Sequence, residues 1–137
     1  KRDGNGTQYF DHGQIYYQGE WKDNLPDGHG TVYGETGMKT YEGHFKADKR
    51  DGNGTQYFDH GQIYYQGEWK DNLPDGHGTV YGETGMKTYE GHFKADKRDG
   101  NGAQYFDNGQ IEYQGEWKKD YSDGHGTLYS ETGMKTY

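Results

Sequence analysis

The chain has 137 residues, among them 25 glycines, three Trp, 15 Tyr, five Phe and no cysteine, while its other apolar side chains are only three Ala, two Val, three Ile, three Leu and three Met. This excludes an ordinary two-layered core, which needs many aliphatic side chains, so apolar burial must come from rings lying against glycine. Fifteen basic against 23 acidic residues give a net charge of −8, which opposes nucleic-acid phosphates, and the longest apolar run, Ile15-Tyr16-Tyr17, falls far short of the roughly 20 residues of a membrane-spanning helix.

A fixed internal period organises the chain. Lys1 to Tyr16 recurs unchanged at Lys49 to Tyr64, and Tyr17 to Thr40 at Tyr65 to Thr88, a shift of 48 made of two units of 24. The chain reads as one continuous array cut from a longer protein: a partial unit, 1–16, then full units 17–40, 41–64, 65–88, 89–112 and 113–136.

Each unit opens with a strand. Position 1 is Tyr17, Tyr41, Tyr65, Tyr89 or Tyr113, position 3 is glycine, and position 5 alternates Trp21, Phe45, Trp69, Phe93, Trp117. Alternation with period two puts these rings and the glycine on one face, leaving Gln18, Glu20 and Lys22 on the other. Positions 7 to 12, such as Asp23-Asn24-Leu25-Pro26-Asp27-Gly28, read as a loop closing a hairpin. A returning strand follows, ending in Tyr33, Tyr57, Tyr81, Tyr105 or Tyr129 at position 17, and a second turn at Gly37 or its equivalents feeds the next unit. Four columns, at positions 3, 12, 14 and 21, hold all the glycines except Gly34 and Gly82. The predicted fold is all-β: an elongated single-layer antiparallel meander of stacked 24-residue β-hairpins.

The pattern Tyr-x-Gly-Glu-Trp-Lys followed by Asp-Gly-His-Gly-Thr, as in Tyr17 to Lys22 and Asp27 to Thr31, resembles the MORN (membrane occupation and recognition nexus) repeat. The resemblance covers the whole chain. The usual Gly at position 8 is replaced by Asn24, Asp48, Asn72, Asp96 or Asp120, and the usual His at position 11 by Asp in every unit. The resemblance implies a twisted sheet of hairpins that serves as a scaffold or dimerisation platform, and in some members attachment to phosphoinositide lipids. The acidic charge disfavours membrane lipids as a partner.

The candidate binding residues are the rings at positions 1, 5 and 17: Tyr17, Trp21, Tyr33, Tyr41, Phe45, Tyr57, Tyr65, Trp69, Tyr81, Tyr89, Phe93, Tyr105, Tyr113, Trp117 and Tyr129. They read first as the core and second as a groove along one face, whose burial a peptide, another chain or a second copy would complete. Seven histidines invite a metal, but equivalent ones such as His29 and His77 stand two hairpins apart, about 19 Å, so no metal site is expected. The Asp48 to Gly54 stretch has its acids three apart and no Glu following at the required distance, which suits a turn rather than a calcium loop. No unit holds a singular acid, base and nucleophile, so neither enzyme activity nor a cofactor is expected.

The leading functional expectation is a repeat scaffold that binds protein partners or itself, as a dimer or filament, with affinity growing by multivalency. An extracellular fibre or adhesin stalk is the alternative. Units identical even at exposed positions allow copy number to change by recombination without loss of the fold.

Overall fold

The computed structural model describes residues 2–136. Twelve strands follow in chain order: β1 (Gly4–Tyr9), β2 (Ile15–Lys22), β3 (Leu25–Tyr33), β4 (Lys39–Lys46), β5 (Lys49–Tyr57), β6 (Ile63–Lys70), β7 (Leu73–Tyr81), β8 (Lys87–Lys94), β9 (Lys97–Tyr105), β10 (Ile111–Lys118), β11 (Tyr121–Tyr129) and β12 (Lys135–Thr136). They form one antiparallel sheet in strict sequence order, with no helix among the described residues. The all-β single-layer meander is therefore the fold, and each unit supplies one hairpin.

The closing turn is shorter than its composition suggests. Positions 7 to 12 were expected to form a loop, yet only positions 7 and 8 turn, and position 9 already opens the returning strand. Both turn residues are left-handed, Asp23 and Asn24 at φ 51° and 72°, and Ala47 and Asp48 at 48° and 73°. A two-residue turn with φ positive at both positions matches the twist of the strands it joins, and Asn and Asp adopt it at little cost. These amides then reach the preceding hairpin. The Asp48 N–H donates to the Pro26 carbonyl at 2.8 Å, and the Ala47 N–H donates to Asp27 Oδ2 at 3.0 Å. The aspartate at position 11 is thus an acceptor built for the next turn, as Asp75 is for Ala95.

Positions 10 to 12 stay in the sheet because the returning strand carries a bulge. Gly19 faces Gly30 and Trp21 faces Pro26, so Asp27, Gly28 and His29 together oppose Glu20. Gly28 takes φ +95° there, and the Glu20 carboxylate accepts the displaced His29 N–H at 3.0 Å. A second bulge sits at the entry to each hairpin, where Val32 faces Tyr41 and Tyr33 faces Lys39.

The core is a ladder of rings on one face. Tyr17, Trp21, Tyr41, Phe45, Tyr65, Trp69, Tyr89, Phe93, Tyr113 and Trp117 are all buried, with Val32 and Val80 packed against them. Tyr41 meets Phe45 of its own strand edge-on at 5.1 Å and Trp69 of the next unit at 5.4 Å. The same step repeats from Trp21 through to Tyr113. Edge-to-face contact suits the ring quadrupoles and adds about 0.5–1.5 kcal/mol per pair beyond burial.

Candidate interaction surface

The ring at position 1 is the fixed point of each hairpin. It lies across the backbone of two facing glycines, Gly43 and Gly54 for Tyr41, and its hydroxyl donates to the carbonyl of position 4: Tyr41 to His44 at 3.0 Å, Tyr17 to Glu20 at 2.8 Å. A Cβ on Gly54 would overlap the Tyr41 ring. Burial, reinforced by Glu20, Asp27 and Asp48, pushes the Tyr17 phenol up to about 12; burial likewise takes Tyr41 and Tyr89 to about 12, and raises Tyr65 further.

At the turn edge a second pairing emerges between position 10 of one unit and position 5 of the next. The Arg50 guanidinium sits 5.1 Å from the Trp69 ring and 4.6 Å from Tyr41, and Arg98 sits 4.3 Å from Trp117. Arg2 covers Trp21 in the same way, at 4.7 Å. In the intervening units position 10 is proline and the ring that follows is phenylalanine, and Pro26 and Phe45 line one recess. Trp thus follows Arg, and Phe follows Pro. A planar cation over an indole gains from cation–π attraction, whereas proline fills the smaller space beside a phenyl.

The fifteen candidate rings do not share one face. Positions 1 and 5 are brought together in the ladder. Position 17 is set two residues beyond Thr31 or Thr55, which face Glu42 across the sheet, and so lies on the opposite side. Tyr57 and Tyr105 show the consequence: their hydroxyls donate to Glu42 at 3.5 Å and Glu90 at 3.4 Å. Tyr33, Tyr81 and Tyr129 occupy the same column and are half-buried. Lys87 holds Glu90 below the usual carboxylate range through a 2.9 Å hydrogen bond, helped by Tyr105 and by His77.

On the ring face an open groove of about 840 Å³ runs beside the later units. Its apolar lining joins the predicted rings Tyr65, Tyr89, Phe93 and Tyr105 to exposed Tyr64 and Tyr121 and half-buried Phe106. Its charge is mostly negative: Asp96, Asp107, Glu112, Asp120 and Glu131 against Arg98. Burial and the nearby Asp120 raise the Asp96 carboxyl. Tyr64, Phe106 and Tyr121 were not among the sequence-predicted rings, because they fall in columns that are not aromatic in every unit.

Sequence reasoning also missed a histidine pairing. Comparing equivalent columns placed the histidines far apart, but position 13 of one unit faces position 4 of the next, making His29 and His44 direct cross-strand partners, as are His77 and His92.

The family model described as MORN repeat matches residues 17–39, 41–62, 65–87, 89–111 and 113–135, and the one described as MORN repeat variant matches residues 2–23. Comparison with curated proteins gave no match.

Proposed function

Since the chain belongs to the MORN-repeat family, we propose that this repeat scaffold is a non-enzymatic docking platform whose groove on the ring face takes a basic, amphipathic segment of a protein partner. The groove beside Tyr64, Phe106 and Tyr121 carries the reading. It offers apolar rings for anchorage among five carboxyls and one guanidinium, and such a field favours cationic side chains and disfavours anionic ones. The raised Asp96 carboxyl supports it: burial and the neighbouring Asp120, itself paired with Arg98 at 3.4 Å, disfavour its charged form, and a partner's lysine or arginine would favour it. Repetition of the same surface adds multivalency to a contact that is weak per unit.

The test uses a labelled amphipathic helix of lysine and leucine, followed by fluorescence anisotropy. The whole chain binds it, and Asp96→Asn with Asp107→Asn and Glu112→Gln weakens binding by about tenfold while reducing its dependence on salt. Tyr64→Ala with Phe106→Ala weakens it as well. Equal binding of an all-glutamate counterpart, or binding unchanged in both variants, would overturn the proposal. The identity of Tyr17 to Thr40 with Tyr65 to Thr88 at exposed as well as buried positions favours a second reading, an extended stalk in which length is the function. A full-length reading frame with many further copies behind a secretion signal supports that reading, and a short array fused to an intracellular domain removes it.

A further inference from the structure

The side of the sheet opposite the ring ladder carries a row of polar side chains at the level of the bulges. Within it the ring centres of His29 and His44 lie 5.7 Å apart at an interplanar angle of 90°, and those of His77 and His92 lie 5.7 Å apart at 89°. All four side chains are exposed. Among the described residues their ring nitrogens make no hydrogen bond, whereas the rings of His12 and His60 are each engaged with a backbone carbonyl, of Glu35 and Glu83. We propose that each cross-strand pair is a two-imidazole site for a divalent transition ion of the zinc type, so that the array carries two equivalent metal sites one 48-residue period apart.

The distances favour chelation. An ion about 2.0–2.1 Å from a ring nitrogen lies about 3.2 Å from the ring centre, so two imidazoles on a near-tetrahedral ion have their centres about 5.2 Å apart. The ring centres are thus within about half an ångström of that separation, and rotation of the two exposed side chains turns one nitrogen of each edge-to-face ring toward the shared ion. Because both rings stand on one rigid sheet, binding of the second is intramolecular once the first is bound. Among the described residues no three His, Asp or Glu groups stand close enough to enclose an ion without movement. Solvent completes the sphere, with the Glu42 or Glu90 carboxylate available in the same recess once released from Lys39 or Lys87. Imidazole and carboxylate together suit zinc and copper ions rather than magnesium or calcium.

Calorimetric titration of the whole chain with zinc chloride, with histidine side-chain NMR shifts followed in parallel, tests the assignment. Two ions bind per chain, and the His29, His44, His77 and His92 resonances move together. His44→Gln with His92→Gln weakens binding by about a hundredfold. His92→Gln alone leaves one tight site, and His12→Gln with His60→Gln leaves both. The inference is overturned if zinc produces neither heat nor shifts, if the His44 and His92 double variant binds as before, or if binding follows His12 and His60 instead.

Discussion

Replacing Gly54 with alanine tests the central packing relation, a tyrosine ring lying flat on bare backbone. The new Cβ would occupy the space of the Tyr41 ring, and that ring has nowhere to go. It is fully buried, it lies 5.1 Å from Phe45 and 5.4 Å from Trp69, and its hydroxyl is held by the His44 carbonyl at 3.0 Å. Tilting it sacrifices one hydrogen bond, about 1 kcal/mol, and weakens one edge-to-face pair, about 0.5–1.5 kcal/mol. The sum of about 2 kcal/mol falls within the about 1–3 kcal/mol typical of overpacking. Gly34→Ala is the matched control. A Cβ there meets Thr40 Cγ2 at 3.5 Å, an ordinary contact, and the loss of unfolded-state freedom stabilises by about 0.4–1 kcal/mol. Urea unfolding followed by tryptophan fluorescence should therefore separate the two variants by about 3 kcal/mol, a midpoint difference of about 1–3 M. If they unfold at the same urea concentration, the rings do not depend on glycine and the account of the core fails.

Three further outcomes follow from the same structure. The buried phenols hold their protons in the folded state, Tyr17, Tyr41 and Tyr89 up to about 12, where an unfolded tyrosine ionises near 10; the stability they contribute is therefore complete below about pH 10 and lost as pH rises toward 12. In an alkaline titration, phenolate absorbance of these residues should appear together with loss of the sheet circular dichroism, and appearance well before it would contradict the burial. Asp27→Ala removes the acceptor of the Ala47 N–H and costs about 0.5–1.5 kcal/mol, read as faster hydrogen exchange of that amide, whereas Asp27→Asn keeps most of the protection. Asn24→Val forces a β-branched residue to φ 72° and costs about 1–2 kcal/mol more in thermal unfolding than Asn24→Gly, since both lose the Oδ1 acceptor of the Arg2 N–H and only valine is strained.

The hairpins, their antiparallel order and the buried columns at positions 1 and 5 were legible because two-residue alternation and a constant period leave little freedom once Tyr17-Gln18-Gly19-Glu20-Trp21 is read as a strand. The bulges were not. Asp27-Gly28-His29 has turn composition, and only the register between Gly19–Gly30 and Trp21–Pro26 reveals that it remains in the sheet. That local offset makes the position 11 aspartate an acceptor for the following turn. The histidine pairing needed the register between units: the unbroken run Gly28–Phe45, His29–His44, Gly30–Gly43 aligns position 13 with position 4 of the next unit. The face of Tyr33 and its equivalents was also legible, since the returning strand was rightly expected to run through Thr31 to Tyr33 and strict alternation with Thr31 places Tyr33 opposite the ladder. A groove that includes Tyr64 and Phe106 was beyond a column-by-column reading, since these rings appear only in alternate units.

The match of Arg50 with Trp69, and of Pro26 with Phe45, gives the array a parity. Excising two consecutive hairpins rejoins guanidinium to indole and pyrrolidine to phenyl at the new seam; excising one leaves Arg50 beneath Phe93 or Pro26 beneath Trp69. Such an object lengthens and shortens most readily by doublets, in steps of about 19 Å at four strand spacings each. An odd number of lost units would leave a mismatched joint in an otherwise seamless ribbon.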